Sequence, residues 1–556
     1  MTAPTSPPAP EAPEAAAKSP AVKNPALKNL GHTASRGAAV TASGLWLKTL
    51  IQLVSTMLLA RLLDPSDFGL VVMIMAIVGV ADLVRDFGMT GAILQARTLT
   101  QRQWSGLLWF SALLGGGLMV VIAACAPLIA ALYGEPQLLV LTLAVAPTLL
   151  LNGLAMPLQA SIQRDLRFGT LAMIDIVAML VGVVLSLIAA VLGFGVWSLV
   201  ILAGAGQVYR LIALWIAAKP KWGRPRLGRD VIPLITTGGS IFGVQLLNYA
   251  ARNLDNVIIG QQLGPAALGQ YSRAYALFLL PQQQLNGPLG RVALPVLSRL
   301  QDDGERYRRY IRGSLSIIGY LSLPTYAIAA AVAGPLIAVL LGPGWEEAAV
   351  IFSLLAIAGM AQAIGNVQGW LFITLGRAHR QLIYSLITRP IVIAMFFVGI
   401  WWNGMEGLAL LYGLITLVML VPGFIVAIRG TFLRGWSDLC APLVRPVLMT
   451  PFAFAASWGA VMLTTGWPAL LQVLIGGLAG LAAMAVFLVI PAYRRDMKAI
   501  LDFALKARRP APHQSASDPD LPENTPAAVL GVAEIGPDEI SSTLRAEQAA
   551  AKGGTT

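Results

Sequence analysis

The 556-residue chain predicts an all-α polytopic membrane protein of about fourteen transmembrane helices, two six-helix lobes in parallel repeat followed by two C-terminal helices. Three observations carry this prediction. Hydrophobic residues make up 56% of the chain and charged residues only 12%, with a mean hydropathy of +0.71, against roughly 25% charged residues in soluble domains. Apolar runs of about 20 residues recur, the length that crosses a hydrocarbon core about 30 Å thick. A short turn motif and its surroundings also return after six such runs.

Residues 1–37, rich in Pro, Ala and Lys, read as a disordered cytosolic tail, because the first apolar run starts too late and continues too long for a cleaved signal peptide. The N-lobe, 38–216, holds spans one to six at 38–62, 68–94, 104–132, 138–158, 169–191 and 194–216. A basic cytosolic linker, 217–230, leads to the C-lobe, 231–428, with spans seven to twelve at 231–259, 266–296, 314–341, 347–374, 381–400 and 406–428. Segment 429–490 adds spans thirteen and fourteen at 443–464 and 468–490. Segment 491–510 places apolar residues at helical spacing among basic ones. That pattern suits either a helix on an anionic inner leaflet or a solvated helix. Residues 511–556, rich in Pro, Ala and acids, read as a disordered cytosolic tail.

Charge placement agrees with the span count and orients it. One set of alternate loops carries Arg97, Arg164, Arg167, Lys219, Arg299, Arg306, Arg377, Arg380, Arg429 and Arg434 among others, whereas the opposite set carries Arg61 alone. Cytosolic loops collect Lys and Arg, so both termini of this multi-pass chain are expected in the cytosol. The outer loops carry Asp64, Asp67, Glu135, Glu346, Glu347 and Glu406. A net charge of +12 spread over short loops does not make the continuous face that nucleic acid needs. Cys125, Cys440, His32, His379 and His513 lack the spacing of a disulfide framework or a metal site, and no phosphate-binding loop is present, so no metal, cofactor or ATP is expected.

The repeat is explicit. "LDPSDFG", Leu63 to Gly69, returns as "LGPAALG", Leu263 to Gly269, with Leu, Pro and Gly in the same places. "GMTG" at Gly88 is echoed by "GPLG" at Gly287, and "GVWSL" at Gly195 by "GLALL" at Gly407. The second copy replaces both aspartates, by Gly264 and Ala267, while keeping Pro265 and Gly269 to match Pro65 and Gly69. The shared feature is therefore a tight helix-to-helix turn, Pro starting the next helix and Gly permitting close packing. Asp67 also suits a helix N-terminus.

Ionisable residues inside a membrane are costly and mark candidate function. In span seven Gln245, Asn248, Arg252 and Asp255 fall at steps of three and four, one polar stripe on an apolar helix. Span eight carries Gln270, Arg273, Gln284 and Arg291, with Pro281 expected to break it near mid-membrane. In the N-lobe, Lys48, Gln52 and Ser55 share a face of span one, and Asp82, Arg85 and Asp86 a face of span two. Spans one, two, seven and eight are thus expected to line a hydrated cavity between the lobes. Arg85 has Asp82 or Asp86 within reach and Arg252 has Asp255, leaving Lys48 and Arg273 as the freer cations. The substrate-binding candidates are Lys48, Gln52, Arg85, Gln245, Asn248, Arg252, Arg273 and Gln284, and Asp82, Asp86 and Asp255 are candidates for ion coupling or gating. The competing reading makes these pairs locks between helices, or side chains snorkelling to the interface. Arg210 and Arg389 receive no assigned role.

"LLARLLDPSDFGLVVMIMAIVGVADLVRDFGMTGAILQ" and "NLDNVIIGQQLGPAALGQYSRAYAL" resemble the polysaccharide transporter branch of the multidrug/oligosaccharidyl-lipid/polysaccharide exporter superfamily, the Wzx-type flippases, and most closely its WzxC-like exopolysaccharide members. The resemblance covers about residues 38–490. It implies no enzymatic activity but movement of polyprenyl-pyrophosphate-linked oligosaccharide from the cytosolic to the periplasmic leaflet, for exopolysaccharide or O-antigen synthesis. By analogy the partners are membrane lipids and polysaccharide polymerase and export machinery. A multidrug or other small-molecule antiporter of the same superfamily is the alternative.

Overall fold

The computed structural model describes residues 47–86, 101–219 and 239–508. The expected tails at 1–37 and 511–556 lie outside them, as do most of the basic linker and the "GMTG" element. Among the described residues there is no strand, and ten helices are long and apolar enough to cross a membrane.

In chain order all the described helices, spanning or not, are α1 (Leu47–Ala60), α2 (Pro65–Asp86), α3 (Gln101–Tyr133), α4 (Gln137–Val145) and α5 (Pro147–Arg164). Then come α6 (Phe168–Val191), α7 (Trp197–Ala218), α8 (Gly239–Arg299), α9 (Gly304–Ala331), α10 (Ala333–Leu340) and α11 (Glu346–Thr374). The series ends with α12 (Ala378–Ile428), a π-helical turn (Gly435–Cys440), α13 (Ala441–Leu463), α14 (Ala469–Phe487) and α15 (Pro491–Arg508).

Two of these are hairpins rather than rods. At 1.5 Å per residue the 61 residues of α8 would measure about 90 Å, three times the hydrocarbon thickness. Its one non-helical residue, Gly264 at φ 82° and ψ −177°, folds the chain back, a conformation open to glycine alone. The fold-back is direct: the Tyr271 hydroxyl lies 3.0 Å from Asp255 Oδ2 across 16 residues, about 24 Å apart along a straight helix. Helix α12 folds in the same way at Asn403 and Gly404, bringing Gly399 against Gly407 and Leu408.

Pro281 does not break its helix, as the sequence suggested. The second arm of α8 runs through it with Gly264 as the only departure from helical geometry. A membrane helix tolerates proline where a neighbour supplies polar contacts, and here the Tyr326 hydroxyl donates to Phe278 O at 3.0 Å in the preceding turn. The chain leaves helical geometry instead at Val332 between α9 and α10, whereas Ala146 ahead of Pro147 keeps helical φ and ψ.

Helices α3 to α7 pack chiefly on one another, through α3 with α5 and α6 with α7. On the other side α11 is the central post, buried against α8, α9 and α12. Helices α13 and α14 attach to that side through α9 and α10. Their attachment is fixed at the arginine-rich end by Asp438 of the π-helical turn. It is fully buried, accepts from Arg312 and from the Arg434 N–H, and has Arg308 Nε 3.7 Å away.

Candidate functional site

The two copies of the turn meet each other. A Cβ built on Gly69 would overlap the carbonyl of Pro265, and one built on Gly269 would overlap the carbonyl of Pro65. The contact is reciprocal, the mark of a pseudo-two-fold axis between the copies. Pro65 opens α2, and Gly69 one turn on gives the backbone clearance that lets α2 cross α8. Ten residues further along α2, Gly79 faces the Tyr249 ring, and the Tyr249 hydroxyl donates to Met75 O at 2.9 Å.

Aromatic side chains close the same end from both sides. Trp345, 1% exposed, donates from Nε1 to Ala60 O at 2.9 Å and meets the Phe68 ring edge-on at 5.4 Å. Tyr133, 7% exposed, lies over Gly260, the position 200 residues after Ala60. Its hydroxyl is buried without a partner. Arg61 reaches from the α1–α2 turn to Val339 O at 2.6 Å. The Asp67 carboxylate sits against the start of α7, 3.7 Å from the Cβ position of Gly195. Ala267 in the second copy has no such group.

The predicted site residues fall into three groups. Lys48 and Gln52 are exposed on α1, with Ser55 buried below them. Arg85 is buried and paired with Asp82. The side chains of Gln245, Asn248, Arg252 and Asp86 lie outside the described residues, although their backbones are helical. On the second arm of α8, Gln284 is half-buried and Arg291 exposed. Gln270 is spent on structure: Nε2 donates to Gly344 O at 2.6 Å and Oε1 accepts from Ala348 N at 3.0 Å, fixing the start of α11.

Arg273 stands apart. Its guanidinium carbon sits 4.9 Å above the Phe68 ring centre, and its Nε is buried without an acceptor. Among the described residues no carboxylate pairs with it. A cation held over an aromatic face at the junction of α2 and α8 keeps its charge available to an anion.

The described partners of Asp255 lie off the stripe, the Arg252 side chain being outside the described residues. Asp255 is 5% exposed and accepts from Asn256 N at 2.8 Å and from the Tyr271 hydroxyl at 3.0 Å. Beyond Tyr271 the Tyr275 ring stacks on it, and Phe278 meets Tyr275 at a tilt of 46°. Tyr412 on α12 joins Tyr275 and accepts from Gln362 Nε2 at 2.7 Å. The result is a buried polar chain linking both arms of α8 with α11 and α12. Arg210 takes a structural place within the N-terminal helices, binding Asp175 at 2.9 Å and Gln159 at 2.6 Å.

Sequence reasoning missed Trp345, Tyr133 and the tyrosine chain. The equal spacing of Pro65 and Gly69 against Pro265 and Gly269 was a usable signal that the two turns face each other. A cavity of about 700 Å³ lies elsewhere, between α9, α11 and α13. Its wall is apolar, with Ser353 and Thr450 among its few polar residues.

Residues 58–350 match the family described as polysaccharide biosynthesis protein. The lipopolysaccharide biosynthesis protein WzxC of Escherichia coli (strain K12) is 24% identical over 406 residues, 72% of this chain and 81% of the relative. The succinoglycan biosynthesis transport protein ExoT of Rhizobium meliloti (strain 1021) is 24% identical over 317 residues, 55% of this chain and 62% of the relative. The fold is similar to that of the lipid II flippase MurJ in its inward closed conformation, with a TM-score of 0.61 at 13% identity, covering 80% of this chain and 98% of that one.

Proposed function

Because the chain belongs to the polysaccharide biosynthesis protein family, we propose that it flips polyprenyl-pyrophosphate-linked oligosaccharide from the cytosolic to the periplasmic leaflet of the bacterial inner membrane. Such a molecule has an anionic pyrophosphate and a polar glycan, neither of which crosses hydrocarbon unaided, and a lipid tail that stays in the bilayer. The relatives work in polysaccharide biosynthesis or its transport by name, which supports a transporter rather than an enzyme.

Arg273 is the observation that carries the site. It is a cation at the junction of α2 and α8, within the membrane-spanning part, stacked on Phe68 with no carboxylate among its described neighbours. Lys48 and Gln52, exposed on α1, are proposed to extend the site toward the arginine-rich end, with Gln284 on α8. Arg85 supports that wall through Asp82. Asp255 is proposed as the coupling group, since its carboxylate is held by a tyrosine and a backbone N–H rather than by a described cation. The arginine-rich loops are assigned to the cytosol and the Pro65–Pro265 crossing to the periplasmic end, so the protein stands closed on the outer side. Polymerase and export components downstream remain part of the proposal by analogy.

The test is Arg273→Gln in the full chain, replacing the native gene. Completed lipid-linked repeat units are expected to accumulate in a form that spheroplasts protect from a membrane-impermeant hydrolase, at normal protein levels. Full export by that variant sinks the assignment of Arg273. Normal glycan lipids together with altered drug tolerance in a strain lacking the protein instead favour a multidrug antiporter.

A further inference from the structure

Segment 491–510 admits two readings by sequence, a helix lying on an anionic leaflet or one surrounded by water, and the first turns of α15 separate them. Asp496 is the decisive residue. The Tyr320 hydroxyl of α9 donates to its Oδ2 at 2.8 Å, and Arg445 Nη1 of α13 donates to both of its oxygens at 2.7 Å. Tyr493, one turn earlier, is buried against the Tyr320 ring at 6.2 Å and the ring of Phe487, the last residue of α14, at 5.1 Å. The start of α15 is therefore clamped to α9, α13 and α14.

The clamp stands at the edge of the hydrocarbon. Arg445 falls at the start of the expected span 443–464, and Tyr320 lies about 9 Å inside 314–341 at 1.5 Å per residue. The elbow between α14 and α15 is apolar and uncovered by protein: Val489 is 72% and Ile490 46% exposed, surface that favours acyl chains over water. Along α15 the helical repeat of the sequence sets Tyr493, Asp496, Met497 and Ile500 on one face and Arg494, Arg495, Lys498 and Lys506 on the opposite one. An unpaired acid on the apolar face would hold that face off a lipid surface, and Arg445 neutralises it there. Arg494 and Arg495 are exposed, each positioned at Nε by a carbonyl nearby, Leu488 O at 3.2 Å and Pro491 O at 3.4 Å.

We propose that α15 is a docking surface for acidic phospholipid. The Asp496 clamp holds the helix along the cytosolic leaflet, its apolar face at the acyl boundary and Arg494, Arg495 and Lys498 against phosphate headgroups. Charge complementarity names the partner, because an acidic headgroup is the anion that the leaflet itself presents to a row of cations at this depth. A helix in water would leave Val489 and Ile490 wet and would give the basic face no counterpart.

The test uses the full chain with Cys125 and Cys440 changed to Ser and Ala504→Cys carrying a small fluorophore. The protein is reconstituted in vesicles of phosphatidylcholine, with or without phosphatidylglycerol. In the acidic vesicles the fluorophore is expected to be quenched by brominated lipid and protected from aqueous iodide about threefold or more relative to the neutral ones. Combined Arg494→Gln, Arg495→Gln and Lys498→Gln should erase the difference between the two vesicles. Asp496→Asn, and independently Arg445→Gln, should open the fluorophore to iodide in both. Iodide access that is equal in the two vesicles for the parent chain overturns the inference, and protection that persists in detergent without phospholipid assigns the face to protein and overturns it as well. Clamp variants as protected as the parent overturn the role of Asp496. No glycan lipid enters the measurement, so its failure leaves the flippase reading standing.

Discussion

At the residue scale the buried carboxylate of Asp255 is held by two donors, Asn256 N–H and the Tyr271 hydroxyl. A bond to a charged acceptor contributes about 1.5–3 kcal/mol, so Tyr271→Phe is expected to lower the melting temperature of the purified protein. Changing Asp255 to Leu in the same background should then cost less than it does in the parent, because the hydroxyl no longer loses a partner. A double-mutant cycle on the two positions measures the coupling, and additivity would refute it. Arg210 gives a simpler case. Arg210→Gln breaks a partly exposed pair with Asp175 and is expected to destabilise by about 1–3 kcal/mol while leaving translocation per folded molecule unchanged. The stripe of span seven brought Asp255 to notice, with Arg252 beside it, but not Tyr271. Helical periodicity speaks only of neighbours on one helix, and Tyr271 comes 16 residues later across a turn. Arg273 was visible as an unpaired cation for the same reason in reverse, since its own helix offers no acid within a turn.

At the element scale the Pro and Gly punctuation made the helices legible, and the pairing of the turns was latent in their repetition. The same two residues serve twice because each copy's glycine receives the other copy's proline carbonyl. Gly69→Leu and Gly269→Leu should therefore act alike, each forcing α2 off α8 at an overpacking cost of about 1–3 kcal/mol. Comparable losses of folded yield from the two variants support reciprocity, whereas loss from one alone would contradict it. The π-helical turn was not legible, because Gly435 to Cys440 carries no periodic signal and its geometry follows from a tertiary demand. Asp438 must reach Arg312 and the Arg434 N–H together. Pro281 misled for a related reason: proline in an isolated helix is disruptive, whereas a packed membrane helix with Tyr326 beside it carries the residue through.

At the scale of the whole molecule, membrane orientation rests on one asymmetry, and a labelling experiment decides it. Arg164, Arg167, Arg299, Arg306, Arg377, Arg380 and Arg429 gather at one end of the bundle, while the other end has Arg61, whose guanidinium is already bound to Val339 O. Each basic residue near an anionic leaflet contributes about 1 kcal/mol toward keeping its loop there, so the sum over that end far exceeds what one occupied arginine opposes. The turn end is also where both repeats fold back, at Gly264 and at the Leu63–Pro65 junction, so a single orientation serves both copies. In a chain with Cys125 and Cys440 changed to Ser, Gln137→Cys and Glu347→Cys sit exposed at the turn end, one from each repeat. Asp165→Cys and Asp302→Cys are exposed at the arginine-rich end. A membrane-impermeant maleimide applied to spheroplasts is expected to label the first two at once and the last two only after permeabilisation. The reverse pattern would invert the protein and put its closed crossing on the cytosolic side. A split pattern between repeats would break the parallel relation on which both the shared orientation and the two-fold crossing depend.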